Sequence, residues 1–300
     1  MEELNQVKQQ IKTFVKDCND PRSLELFDLL SEGKMLRSKL ILKIAGVSDE
    51  TIKLCAVVEM IQSASLLHDD VIDEADTRRG KPSINALFDN KTSIMFGDIL
   101  YSKAFTQLTQ MDKEVAYTIA NSVTLLSIGE LHDVELTNSF NSSYDKYLNM
   151  IYNKTASLIE ASAKAAAIIS GKDKEAFALY GKNLGLAFQM IDDILDITQD
   201  SATLGKPAML DFVEGKVTIP YLLLWERLDS EDKIKLESMY KVPLDKDQAS
   251  WIKTKMNDTQ ALVDSIAQAQ SIGTEAVEAI SSENNTELSG IMMAMIQREF

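Results

Sequence analysis

Leu184-Gly185-Leu186-Ala187-Phe188-Gln189-Met190-Ile191-Asp192-Asp193-Ile194-Leu195-Asp196 decides how this chain is read. Apolar residues return at intervals of three and four, so Leu184, Ala187, Phe188, Ile191 and Leu195 share one helical face. An acidic cluster, Asp192-Asp193-x-x-Asp196, then interrupts the pattern. The same arrangement stands earlier. Leu54, Val57, Val58 and Ile61 share a face, and a small-and-apolar run from Met60 to Leu67 leads into His68-Asp69-Asp70-Val71-Ile72-Asp73.

Working outward, the chain reads as helix nearly throughout. Its prolines are Pro21, Pro82, Pro207, Pro220 and Pro243. None falls between Ser83 and Lys206, a stretch with few glycines, which favours long helices. No segment alternates in the manner of a strand bounded by turns. Breaks coincide with capping and turn chemistry at Asp20-Pro21, Arg79-Gly80-Lys81-Pro82, Ser170-Gly171 and Gly205-Lys206-Pro207. There is no Pro/Gly/Ser-rich linker and no clean repeat. These features predict an all-α fold with residues 1–300 as a single domain.

The 300 residues include 46 acidic and 31 basic side chains, a formal charge of −15. Such a field disfavours nucleic acid and anionic lipid as partners. Cys18 and Cys55 are too few for a disulfide framework and read as small buried thiols. The N-terminal segment is charged and amphipathic, not a secretory leader. The longest uncharged stretch, Val115 to Gly129, is too short and polar to span a bilayer. A cytoplasmic location is expected.

The two aspartate clusters carry the chemistry. Residues four apart lie on one helix face, so Asp69 pairs with Asp73 and Asp192 with Asp196. Like charges in an apolar stripe repel and lose hydration. A hard divalent cation offsets both costs, and oxygen-only ligands suit Mg²⁺ completed by water and phosphate. The flanking apolar runs predict that both acidic triads are buried. Despite the net charge, positive residues come in tight groups: Gly33-Lys34-Met35-Leu36-Arg37, Arg78-Arg79-Gly80-Lys81, Lys154-Thr155, Gly205-Lys206-Pro207 and Glu214-Gly215-Lys216. Cationic side chains beside glycine turns suit a substrate with more than one diphosphate.

These segments, with Gly97-Asp98-x-Leu100, Gly129-Glu130 and Lys154-Thr155-Ala156, occur in the order and spacing of one family. The chain resembles a trans-isoprenyl diphosphate synthase over essentially its whole length, with octaprenyl-type enzymes the nearest match. The resemblance implies antiparallel helices bundled around a deep central cavity, in a homodimer. It implies condensation of isopentenyl diphosphate with an allylic primer, farnesyl diphosphate above all, for long-chain products such as quinone side chains. Three Mg²⁺ ions would be held, two by Asp69 and Asp73 and one by Asp192. Asp70, Asp193 and Asp196 would act through metal-bound water. Arg78, Lys154, Lys206 and Lys216 would hold the allylic diphosphate. Lys34, Arg37, Arg79 and Gln62 would line the isopentenyl diphosphate pocket. Thr155 and Gln189 would face the reacting carbons. The product would leave through transient membrane contact. One departure is Gly129-Glu130-Leu131-His132-Asp133, where the family often has Gly-Glu-x-x-Gln.

Ser65 lies one turn before Asp69, with Ala64 beside it. A tail anchored at Asp69 would run past both, and their small size leaves the cavity open. Short-chain members of the family typically place an aromatic ring there. A long chain is therefore expected, with the floor deeper, against Tyr101 or Phe105. His68 lies about 100° from Asp69 on the helix and reads as a packing or orienting residue; His132 reads as a pocket-wall group. Shorter-chain farnesyl or geranylgeranyl synthesis, a terpene cyclase, a silent helical partner of a true synthase and a ligand-free scaffold are the competing readings. The second Asp-Asp-x-x-Asp cluster weighs against the last three.

Overall fold

A computed structural model describes residues 2–199, 209–283 and 285–297. The helices are α1 (Glu2–Lys16), α2 (Pro21–Leu29), α3 (Leu36–Ala45), α4 (Asp49–Ile72), α5 (Ile84–Leu87), α6 (Asn90–Leu108), α7 (Lys113–Leu136) and α8 (Tyr144–Ile151). A π-helical turn, Tyr152–Ala156, follows α8 and leads into α9 (Ser157–Ser170). Then come α10 (Lys174–Thr198), α11 (Leu210–Val213), α12 (Ile219–Arg227), α13 (Ser230–Ser238), α14 (Lys246–Asp258), α15 (Ala261–Ala279) and α16 (Thr286–Ile296). The all-α expectation holds. Among the described residues the only strands are Thr77–Arg78 and Lys81–Pro82, an antiparallel hairpin.

Helix starts follow sequence chemistry. The side chains of Asp20, Ser48, Ser83, Asp89, Ser143 and Asp229 each accept from a backbone N–H three residues on. Asp245 and Gln248 form a reciprocal capping box. Pro21 and Pro220 stand in first turns, where a missing N–H costs nothing.

The chain divides into two compact units, 1–123 with 161–177 and 124–160 with 178–300. The divisions fall inside α7, α9 and α10. In the first unit α4 packs against α1, α3 and α6. Leu54, Val57, Val58 and Ile61 are fully buried, as the periodicity requires. In the second unit the core gathers Tyr147, Ile151, Met190, Ile191, Ile194, Phe212 and Tyr221, with the last two rings stacked at 4.3 Å. A Cβ on Gly129 would stand 2.2 Å from the Lys154 backbone nitrogen, and one on Gly185 2.4 Å from Ala156 Cα. Glycine thus brings α7 and α10 against the π turn.

Candidate active site

In the first unit the aspartate cluster ends α4: Asp73 is the C-cap, and its N–H donates to the Asp69 carbonyl at 2.8 Å. Carboxylates at a helix C-terminus oppose the macrodipole. Asp70 alone of the three is buried, while Asp73 is exposed. The expected burial of the whole triad is therefore corrected. Successive residues turn by about 100°, so adjacent aspartates cannot share the buried face. Arg78 Nε donates to Asp70 Oδ1 at 2.6 Å. Burial pushes the Asp70 carboxyl up, with Arg78 opposing.

Arg78 belongs to the hairpin, whose turn residues Arg79 and Gly80 both have positive φ, 53° and 73°. That geometry turns the chain back sharply. It lays the Arg79 guanidinium on the backbone of the Gly33 segment. Arg79 Nη1 donates to the Ser31 carbonyl at 3.3 Å and would be 2.9 Å from a Cβ at Gly33. Two groups predicted to share a pocket, Gly33-Lys34 and Arg79, are thus brought together. Arg37 Nε and Gln62 Oε1 are buried atoms without a hydrogen-bond partner. Burial lowers the Arg37 pKa to about 10, with Glu59 opposing, so it stays charged at neutral pH. An orphaned cationic donor suits an anionic ligand.

His68 orients α4 against α6. Its Nε2 lies 3.1 Å from the Ile94 carbonyl and 3.5 Å from Asp98 Oδ1. Its ring tilts against Tyr101 at 5.6 Å, and Tyr101 stacks on Phe105 at 6.3 Å. A Cβ on Gly97 would come within 2.4 Å of that Nε2, which accounts for the glycine of Gly97-Asp98.

In the second unit Asp192 is exposed, whereas Asp193 and Asp196 are buried. The buried-triad expectation fails here for the same geometric reason. Asp196 Oδ2 accepts from the Asp211 N–H at 3.2 Å, so it also anchors the start of α11. Tyr147 and Gln189 donate to the two oxygens of Asp193 at 2.6 and 2.9 Å, and Thr155 donates to Gln189 at 2.9 Å. Burial pushes the Asp193 carboxyl well above its usual range, and Asp211 adds to it; its two donors oppose. A cation held by its neighbours would oppose the shift as well.

Lys154, on the π turn, lies 2.5 Å from Asp133 Oδ2 and 2.8 Å from Glu130 Oε2. The Glu130 contact is a charge pair without hydrogen-bond alignment. Burial works against the Lys154 ammonium, but Asp133 and Glu130 outweigh it and hold its pKa above the usual value. Lys216 pairs with Glu214 at 3.1 Å. Lys206, in the Gly205-Lys206-Pro207 segment, lies outside the described residues. Asp133, Tyr147 and Asp98 were missed as site residues. Asp133 stands three residues after Glu130, a spacing that puts two acids on one face, and that signal was available.

Among the described residues no group of three or more His, Cys, Asp or Glu side chains forms a metal site by itself. The donor set nevertheless fits a hard cation. Both clusters are all-oxygen, each ends a long helix, and each is short of the six ligands that Mg²⁺ takes.

The polyprenyl synthetase family model matches residues 24–257. The chain belongs to that family. This polyprenyl synthetase family member is 43% identical to the octaprenyl pyrophosphate synthase of Helicobacter pylori, with a TM-score of 0.92 over 99% of both chains. It is 29% identical to the polyprenyl synthase of Caulobacter crescentus CB15, solved with calcium and isoprenyl diphosphate, with a TM-score of 0.87 over 100% of this chain and 95% of that one. Solanesyl diphosphate synthase 3 of Arabidopsis thaliana is 45% identical over 177 residues, 58% of this chain. The match spans 42% of that relative's own length.

Proposed function

We propose that this chain is a Mg²⁺-dependent trans-prenyltransferase that adds isopentenyl diphosphate to an allylic primer, farnesyl diphosphate, to make an octaprenyl-like product. One observation carries the reading: two Asp-Asp-x-x-Asp clusters each terminate a long helix, where carboxylates are disfavoured unless cations bind. Likeness to the Helicobacter pylori enzyme supports the product class. We propose further that residues 1–300 act as a single domain.

Asp69, Asp73 and Asp192 would hold the metal, about three ions, with Asp70, Asp193 and Asp196 behind them. When bound, Mg²⁺ neutralises charge on the leaving diphosphate. Arg78, Lys154, Lys206 and Lys216 bind and orient the allylic diphosphate. Lys34, Arg37, Arg79 and Gln62 bind isopentenyl diphosphate. The allylic C–O bond breaks and its electron pair leaves with the diphosphate. Thr155 and Gln189 present dipoles to the resulting cation. The isopentenyl double bond attacks, a C–C bond forms, and the proton lost from the adjacent carbon passes to the departed diphosphate.

A homodimer is part of the proposal. Ile94 and Met95 of α6 and Tyr117 of α7 are 40%, 57% and 71% exposed, an apolar surface suited to a second copy. We place the enzyme in the cytoplasm, with transient membrane contact for product release. No helix of the described residues is long and apolar enough to cross a membrane.

The test is incubation with Mg²⁺, farnesyl diphosphate and labelled isopentenyl diphosphate, followed by sizing of the extracted alcohols. Elongated products are expected. Asp69→Ala and Asp192→Ala should lower turnover by about 10²–10³-fold while melting at or above the parent temperature, since like charges are removed. Absence of elongation by the parent overturns the reading.

A further inference from the structure

A row of hydrogen bonds in the second unit ends on the hydroxyl of Thr155. Tyr147 Oη donates to Asp193 Oδ2 at 2.6 Å, and Gln189 Nε2 donates to Asp193 Oδ1 at 2.9 Å. Thr155 Oγ1 donates to Gln189 Oε1 at 2.9 Å. Each direction follows from the partners. An amide oxygen carries no hydrogen, so the threonine must be the donor. The amide nitrogen is then left for Asp193, whose two oxygens accept from Tyr147 and Gln189.

The row is closed by packing. Tyr147 and Asp193 are 1% and 4% exposed. Gln189 and Asp193 stand one turn apart on α10, and Tyr147 precedes the π turn that carries Thr155. Hydrogen bonds in series polarise one another. The Gln189 amide is therefore held with its oxygen toward Thr155. With its proton committed to that oxygen, Thr155 Oγ1 has only lone pairs to offer an electron-poor carbon. A flipped amide would reverse this, because Thr155 would then accept from Nε2 and turn its O–H outward.

We propose that Tyr147 and Asp193 are positioning residues that fix the Gln189 amide and thereby aim the lone pairs of Thr155 at the allylic cation. This rests on the prenyl-transfer reading. Neither residue forms or breaks a bond; they set the sign of the dipole that the cation meets.

The experiment compares two ligands by calorimetry, each with Mg²⁺ and inorganic pyrophosphate. One is a prenyl ammonium, with positive charge at the cationic carbon's place; the other is its neutral isostere. The parent should prefer the ammonium. Tyr147→Phe, which keeps the buried ring, and Asp193→Asn should each lose about tenfold of that preference, the scale of one charge-assisted contact. The kcat of both should fall; Tyr147→Phe, which leaves every proposed metal-site carboxylate in place, should also hold both KM values within about twofold and keep its affinity for Mg²⁺–pyrophosphate. A parent without preference, or variants that keep it, overturns the proposal. So does a parallel loss of Mg²⁺–pyrophosphate affinity in Tyr147→Phe, which would tie Tyr147 to the metal site instead of to the Gln189 amide. A parent that elongates no primer removes the prenyl-transfer reading instead, a separate result.

Discussion

Lys154 Nζ stands 2.5 Å from Asp133 Oδ2, two residues that the sequence holds 21 positions apart. With Glu130 at 2.8 Å, the trio carries a net charge of −1 around the lysine proposed to bind the allylic diphosphate. Part of its attraction for an anion is thus already spent on its neighbours. Asp133→Asn keeps the shape and leaves Glu130 as partner. We expect the KM for the allylic primer to fall about three- to tenfold, up to roughly 1.4 kcal/mol. A rise in KM would mean that Asp133 serves to hold Lys154 in place.

Arg37 is the complementary case, a cation with a buried Nε and no hydrogen-bond partner for it. A ligand phosphate that satisfies it gains a charge-assisted contact of roughly 1.5–3 kcal/mol. Arg37→Ala should raise the KM for isopentenyl diphosphate by about tenfold or more and leave that for the allylic primer nearly unchanged. Equal effects on both substrates would merge the two pockets we have separated.

Much of this was legible because it is local. Apolar recurrence at three and four placed Leu54, Val57, Val58 and Ile61 in the core, and each is fully buried. The Asp-x-x-x-Asp spacing located the clusters. Contacts between distant segments were not legible. Thr155 meets Gln189 across 34 positions and Tyr147 meets Asp193 across 46. No periodicity encodes such pairs, since they are set by helix packing. Burial of whole acidic triads does not follow from apolar flanks, because those flanks bury one helical face and adjacent aspartates point about 100° apart. The turn at Arg79-Gly80 was legible, but its two-residue strands carry no alternation to read.

Gly129 and Gly290 make a matched test of packing. Both lie in helices, where alanine gains about 1 kcal/mol in propensity. At Gly290 nothing lies within 4 Å of the added Cβ, so Gly290→Ala should stabilise by up to that amount. At Gly129 the Cβ would stand 2.2 Å from a backbone nitrogen of the π turn. Backbone cannot swing aside as a flexible side chain can. Overpacking costs of about 1–3 kcal/mol or more should outweigh the gain. Gly129→Ala should melt several degrees lower; a variant as stable as the parent would refute the close approach.

Cys55 is fully buried, and burial pushes its thiol up to about 12. Its folded value lies above its unfolded one, so it contributes stability that is whole below the ordinary thiol range of about 8.5. That contribution is lost as pH rises toward 12. Cys55→Ala should therefore narrow its stability deficit against the parent between about pH 8 and 11. A thiol reagent at neutral pH should leave Cys55 unlabelled until the protein unfolds. Labelling of Cys55 at the rate of partly exposed Cys18 would contradict its burial.

Product length is tested at Ser65. Ala64 and Ser65 are 0% and 4% exposed, and the Ser65 hydroxyl donates to the Gln62 carbonyl at 2.9 Å. A Cβ at Gly97 would come within 3.3 Å of the Ala64 carbonyl, so Ala64 lies where α4 and α6 approach closely. Its small size serves that contact, and a ring at Ala64 should unfold the first unit. Ser65 is rotated by about 100° from Ala64 and lies one turn before Asp69. If a growing tail passes Ser65, a phenyl ring there enters the tail's space instead of the core. Ser65→Phe should then remain folded, complete the first condensation and release shorter alcohols on chromatography. If Ser65 only packs, overpacking should cost about 1–3 kcal/mol and lower the melting temperature without shifting the products. An active Ser65→Phe enzyme with unchanged product length would place the stop elsewhere, beyond the Tyr101–Phe105 stack.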